Sequence, residues 1–287
     1  MAAGPQLDAA TVLLQWATGG LLFCWITTRR REVGLGYGWL LRASYLVIAA
    51  LAAIAGYRWA AEPIRDAASI GVSAAAALAL LLSVVRRRTG VSGQQRQHYE
   101  STQATADRTG IERNLNPRDA QGPEFDPRWD LAAPIIGLIG LVAAGLGGGG
   151  NQLVQTARIL VGAAFLGSVT DAMLLGHWYL VQPGLRREPL LEQVSWLGKI
   201  WPLEVGLLLI PTGMWSVLSG AVDDGYGGML GWFWAACAVM TIVLVVITRA
   251  ALRERQYAAV MAATGLLYLA ILTAFGTDVV ARLVLET

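Results

Sequence analysis

The chain has 287 residues, 55% of them hydrophobic and 15% charged, and a formal net charge of +2. Its apolar residues come in runs of about twenty that are apolar all round, longer than a buried core helix needs and without a polar face for water. That profile excludes a soluble enzyme, and so small a net charge, with arginines clustered between apolar runs, gives no reason to expect a nucleic-acid partner.

In chain order, the runs predict helices at roughly 9–28, 36–57, 66–85, 130–148, 153–181, 190–218, 228–248 and 257–280. Each is long enough at about 1.5 Å per residue to cross a hydrocarbon core of about 30 Å. The expected fold is an all-α polytopic integral membrane protein of about eight transmembrane helices, in contact with the lipid bilayer. Residues 1–85 hold helices one to three, 86–128 form a hydrophilic loop, and 129–287 hold helices four to eight. The opening MAAGPQLDAA lacks the basic stretch of a cleaved signal peptide, so the first run reads as a retained helix. Two halves of four helices are suggested by Trp39-Leu40-Leu41-Arg42 in helix two and Trp196-Leu197-Gly198-Lys199 in helix six. Cys24 and Cys237 both lie in apolar runs without a CxxC pattern, which supports neither a disulfide framework nor a zinc site.

The connections then set the topology, because loops rich in arginine stay in the cytoplasm. Arg29–Arg31 follow helix one, Arg86–Arg88 open the 86–128 loop, Arg186 and Arg187 follow helix five, and Arg249, Arg253 and Arg255 follow helix seven. All fall on one side. The expected location is therefore a bacterial inner membrane, with both termini on the periplasmic side and the 86–128 loop in the cytoplasm. That loop is too polar to bury a core of its own. It reads either as a solvated connection or as the docking surface for a partner subunit.

Ionisable side chains inside spanning segments are rare and usually face a partner or a water-filled path. Here they are Arg42, Asp171, His177, Lys199 and Glu204. Helices five and six are joined by QPGLRREP, so residues equally far from that turn should share a depth. Asp171 and Lys199, the single lysine, each come out about 14 Å deep and are expected to form an ion pair, as a helix lock or as a working site. Pro202 and Pro211 in helix six predict kinks, since each removes a backbone hydrogen bond, and Pro202 stands beside Lys199 and Glu204.

His177 is expected nearer the cytoplasmic interface, with Glu192 and Ser195 facing it. An imidazole with a carboxylate nearby suits a quinone or proton site, or simply a histidine hydrogen-bonded to its neighbouring helix. Haem does not fit, because the only other histidine, His98, lies in the hydrophilic loop, and no metal-ligand spacing is present. No cofactor is assigned beyond a possible quinone.

Two functions remain open. The first is a membrane subunit of a larger, respiratory-type assembly, not catalytic on its own or bordering a quinone or proton site. The second is a proton- or ion-coupled small-molecule transporter lined by Asp171, Lys199 and Glu204. Lipid-directed catalysis lacks a nucleophile and base.

Overall fold

The computed structural model describes residues 8–86, 103, 125–147, 151–182, 185–210 and 213–285. Among them there is no strand, and the helices in chain order are α1 (Ala9–Thr28), α2 (Leu35–Trp59), α3 (Pro63–Val85), α4 (Ala132–Gly147), α5 (Gln152–Val181), α6 (Glu188–Leu209), α7 (Met214–Leu218), α8 (Met229–Arg253) and α9 (Tyr257–Leu285). A 3-10 turn, Pro127–Leu131, leads into α4. Seven of the described helices are long and apolar enough to cross a membrane. The protein is an all-α, multi-pass membrane protein. Large apolar side chains such as Val47, Leu51, Ile70, Leu81, Ile139, Val246 and Leu272 stand exposed along the outer helices, as contact with lipid requires.

Two helices form the centre. In α1 and α5, 72% of the spanning window is buried, against 33 to 39% in the other apolar helices. Around this pair, α2 and α4 pack on α1, α3 on α2 and α4, α6 and α9 on α5, and α8 on α9 and α6. The two central helices touch backbone to backbone because both present glycine at the crossing. A Cβ on Gly19 would lie 1.7 Å from the Ala163 carbonyl oxygen, and one on Gly167 would lie 2.2 Å from the Gly19 carbonyl carbon. Small residues at a crossing are the usual route to tight helix association in lipid, where hydrophobicity alone does not drive helices together.

Helix six differs from its expected span of 190–218. It ends at Leu209, and the separate single turn α7 follows. The cause is local: Ile210 precedes a proline and adopts an extended backbone (φ −119°, ψ 157°), the conformation that a following proline ring enforces. Pro211 itself lies outside the described residues. At 22 residues α6 is still ~33 Å long. It runs the length of the bundle, since Gln193 near its start bonds to α1 at Phe23 and Thr27, while Leu207 and Ile210 at its end accept from Arg158 near the start of α5. With Gln15 bound to the Ile159 carbonyl and Arg282 to that of Arg158, the start of α1 and the end of α9 lie at the same end of the bundle.

At that end, before α8, Asp224 gathers the loop. Its carboxylate accepts backbone hydrogens from Tyr226 (2.9 Å), Gly228 (2.8 Å) and Leu230 (2.8 Å), with Gly231 at 3.4 Å. Burial pushes this carboxyl up, but the backbone donors outweigh it and hold it below the ordinary aspartate value. A carboxyl lowered in the folded state stabilises above its unfolded value, and that contribution is lost as pH falls through the native one. Acid should therefore loosen the start of α8, measurable as faster amide exchange at Leu230 and Gly231. Asp224→Asn should show the faster exchange already at neutral pH and little further change in acid.

At the opposite end a fully buried ion pair joins α2 to the 3-10 turn. Arg42 donates through Nε and Nη2 to the two oxygens of Asp130, each at 2.7 Å, and its guanidinium lies 4.7 Å from the Phe125 ring centre. Both side chains are 3% or less exposed. So Arg42, read in the sequence as an isolated intramembrane charge, is neutralised by a residue from the segment just before α4.

Candidate functional site

Asp171 stands at the centre of the best-formed polar site. On α5 it is 0% exposed, between Thr170 and Ala172, which are also buried. The Tyr45 hydroxyl of α2 donates to its Oδ1, and the Tyr37 hydroxyl donates to its backbone carbonyl at 3.2 Å. Tyr45 must cross α1 to get there, and Gly20 is what lets it through. A Cβ on Gly20 would lie 1.9 Å from Tyr45 Cζ, inside the ring's own volume. One strand of sequence thus serves two contacts: Gly19 admits α5, and Gly20 admits the tyrosine that reaches it. Asp171 Oδ2 has no hydrogen-bond partner among the described residues. None of the ion pairs formed by described residues includes Asp171.

The expected Asp171 to Lys199 pair is not formed. Lys199 lies on the exposed face of α6 with Trp196 and Leu203, its ammonium 5.1 Å from the Trp196 ring centre. The equal-depth rule places two residues along the helix axes and says nothing of their direction around them. Positions 196, 199 and 203 share one face, and the structure turns that face outward while Val194, Leu197 and Ile200 face in. A long lysine stem over an indole is a stable arrangement there, by cation–π attraction and by burial of its methylenes.

The expected grouping of His177 with Glu192 and Ser195 also separates. His177 Nδ1 is 3.2 Å from the Tyr268 hydroxyl of α9, with the two rings edge to face, and it is exposed. Glu192 turns instead to α1, where it pairs with Arg29 at 2.6 Å and Arg30 at 3.4 Å. Ser195 is half-buried one turn further along α6. The physical reason is the company each helix keeps: α9 packs on the His177 side of α5, and the arginine cluster ending α1 attracts the nearest carboxylate.

Glu204 is 0% exposed, but it belongs with neither Asp171 nor Lys199. It lies toward the other end of the bundle, near Asp278 and Arg282 of α9. Pro202 sits inside α6, which continues helical through it, and the neighbouring Trp201 anchors α6 to α8 by donating to the Ala238 carbonyl at 2.9 Å.

The six site residues therefore fall in at least five places. Tyr45, Asp130, Asp278 and Arg282 are the polar partners that sequence reasoning missed. Three of these carried a readable signal. Tyr45 is about as far from the start of α2 as Asp171 is from the end of α5, and Asp278 and Arg282 stand at an i, i+4 spacing that allows a same-face ion pair. Compared with known protein families, characterised proteins and solved structures, the chain matches none.

Proposed function

We propose that the chain is a proton-handling membrane subunit of a larger, respiratory-type assembly, in which Asp171 holds and passes the proton. The observation that carries this reading is a fully buried carboxyl with a tyrosine hydroxyl on one oxygen and no cation paired with it among the described residues. An ionised carboxylate at such a place costs several kcal/mol, so the resting form is the neutral acid. When the proton leaves, the Tyr45 hydroxyl is already aimed at Oδ1 to stabilise the charge. Tyr45 is therefore a positioning residue, set in place by Gly20.

The cofactor that best suits the reading is a quinone meeting the protein from the lipid. His177 and Tyr268 form a hydrogen-bonded pair on an exposed face, which leaves one donor, His177 Nε2–H or the Tyr268 hydroxyl according to the tautomer, for a quinone carbonyl. The hydrophilic 86–128 segment would dock the partner subunit. Bacterial inner membrane, with that segment cytoplasmic, is the location that the arginine clusters favour. A second reading, a proton- or ion-coupled transporter, is favoured by the separate burial of Glu204 and Asp278 in the far half of the bundle.

The test is vesicles reconstituted with the protein as isolated from its native membrane, with a pH-sensitive dye inside. Asp171→Asn is expected to slow proton movement at least about tenfold, which corresponds to about 1.4 kcal/mol in the barrier, while Asp171→Glu retains it. Unchanged movement in Asp171→Asn would overturn the reading. Proteins that co-purify point to the subunit, whereas solute flux by the chain alone points to the transporter.

A further inference from the structure

A second buried carboxyl site lies near the end of the bundle where α1 starts and α9 ends. Asp278 and Arg282, four residues apart on α9, form a two-toothed ion pair, with Nε 2.9 Å from Oδ2 and Nη2 3.0 Å from Oδ1. The pair is buried, at 0% and 4% exposure. Gly162 of α5 makes the room. A Cβ there would lie 2.7 Å from both Asp278 Oδ1 and Arg282 Nη2, and 2.9 Å from Gln15 Nε2, so α1, α5 and α9 converge on one point.

Glu204 of α6 comes beside this cluster, fully buried, with its neighbours Val205 and Leu208 packed against Ala281 and Val284 of α9. The charges that face it are Asp278 and Arg282 on α9 and Arg158 on α5. Arg282 is already engaged by Asp278, and Arg158 gives Nε and Nη2 to the carbonyls of Leu207 and Ile210 at 2.8 and 2.7 Å. Both Glu204 oxygens, and separately Gln15 Oε1, find no donor among the described residues. Two carboxylates cannot hydrogen-bond to each other without a hydrogen, and a buried acceptor left without a donor costs about 1–3 kcal/mol.

We propose that Glu204 and Asp278 form a proton-binding site, holding one shared proton on Glu204 while Asp278 stays ionised against Arg282. Beside the site lies a cleft of about 20 Å³ lined by Gln155, Arg158, Leu208, Arg282 and Leu285, which shares Arg282 with it. That volume suits a single water. The site is distinct from Asp171 and stands whether or not Asp171 moves protons.

Carbon-13 spectra of the whole protein, labelled at the glutamate carboxyls, test it. At neutral pH one signal is expected at the position of a protonated acid, with a deuterium isotope shift in heavy water. It should vanish in Glu204→Gln. In Asp278→Asn it should move to the ionised position, because the Arg282 guanidinium released by Asp278 then faces Glu204. A wild-type spectrum with every glutamate ionised overturns the proposal, whether or not the variants fold. So does an ionised Glu204 signal that follows sodium concentration, which assigns the site to a metal cation instead.

Discussion

Asp130→Ala should cost about 3–5 kcal/mol of stability, the largest loss expected from a single truncation in this protein. The substitution leaves the Arg42 guanidinium fully buried without the carboxylate that takes two of its hydrogens at 2.7 Å. What remains is a hydroxyl at 3.3 Å from Ser83 and the face of Phe125. Neither replaces a charge, and the cleft of about 30 Å³ that Arg42 and Phe125 line has room for no more than about one water. Removing both members together should behave differently. Arg42→Met with Asp130→Leu fills a similar volume with apolar groups, and replacing a whole buried pair is often neutral or stabilising. Unfolding in mixed detergent micelles, followed by circular dichroism, measures both. A loss under about 0.5 kcal/mol in Asp130→Ala, the range of an ordinary surface substitution, would show that the pair is not closed from solvent.

The second large effect is at the central crossing. Gly19→Leu must push α1 away from α5, since even a methyl group would sit 1.7 Å from a backbone carbonyl that cannot rotate aside. Overpacking commonly costs 1–3 kcal/mol, and here about 3 kcal/mol or more is expected because the obstruction is backbone. The same separation would draw Tyr45 away from Asp171, so the variant should also lose the proton movement proposed for Asp171. Gly206 in α6 supplies the control. A Cβ there meets nothing within 4 Å, and Gly206→Ala should leave unfolding unchanged or slightly improved. Equal losses in the two variants would mean that the α1–α5 contact is not where the bundle is held.

The membrane class, and the helix boundaries to within a few residues, were legible in the sequence because apolar runs of fixed length report directly on the solvent that surrounds them. The end of α6 was misjudged for a nameable reason. Ile210 and Met214 are both apolar and read as one run, whereas the proline between them restricts the residue before it to extended backbone. The site was legible only in part. That Asp171, Glu204 and Arg42 had to be special followed from the cost of placing them in lipid. Their partners did not follow, because depth can be counted along a chain and direction around a helix cannot. Lys199 matched Asp171 in depth and faces the wrong way. Tyr45 matched it equally well and faces it, but a tyrosine in an apolar run raises no alarm, and what admits it is the glycine on a third helix. Asp130 was missed because it opens the expected 130–148 helix, where a carboxylate reads as ordinary first-turn chemistry, until the 3-10 turn brings it against Arg42 of α2.

The central claim is that Asp171 holds a proton inside the membrane, under the hydroxyl of Tyr45. Infrared spectroscopy of the protein at neutral pH addresses it most directly. The expected spectrum contains a protonated carboxyl band that is absent from Asp171→Asn and shifts to higher frequency in Tyr45→Phe, where the hydrogen bond to Oδ1 is removed. Identical carboxyl absorption in the wild type and Asp171→Asn would contradict it.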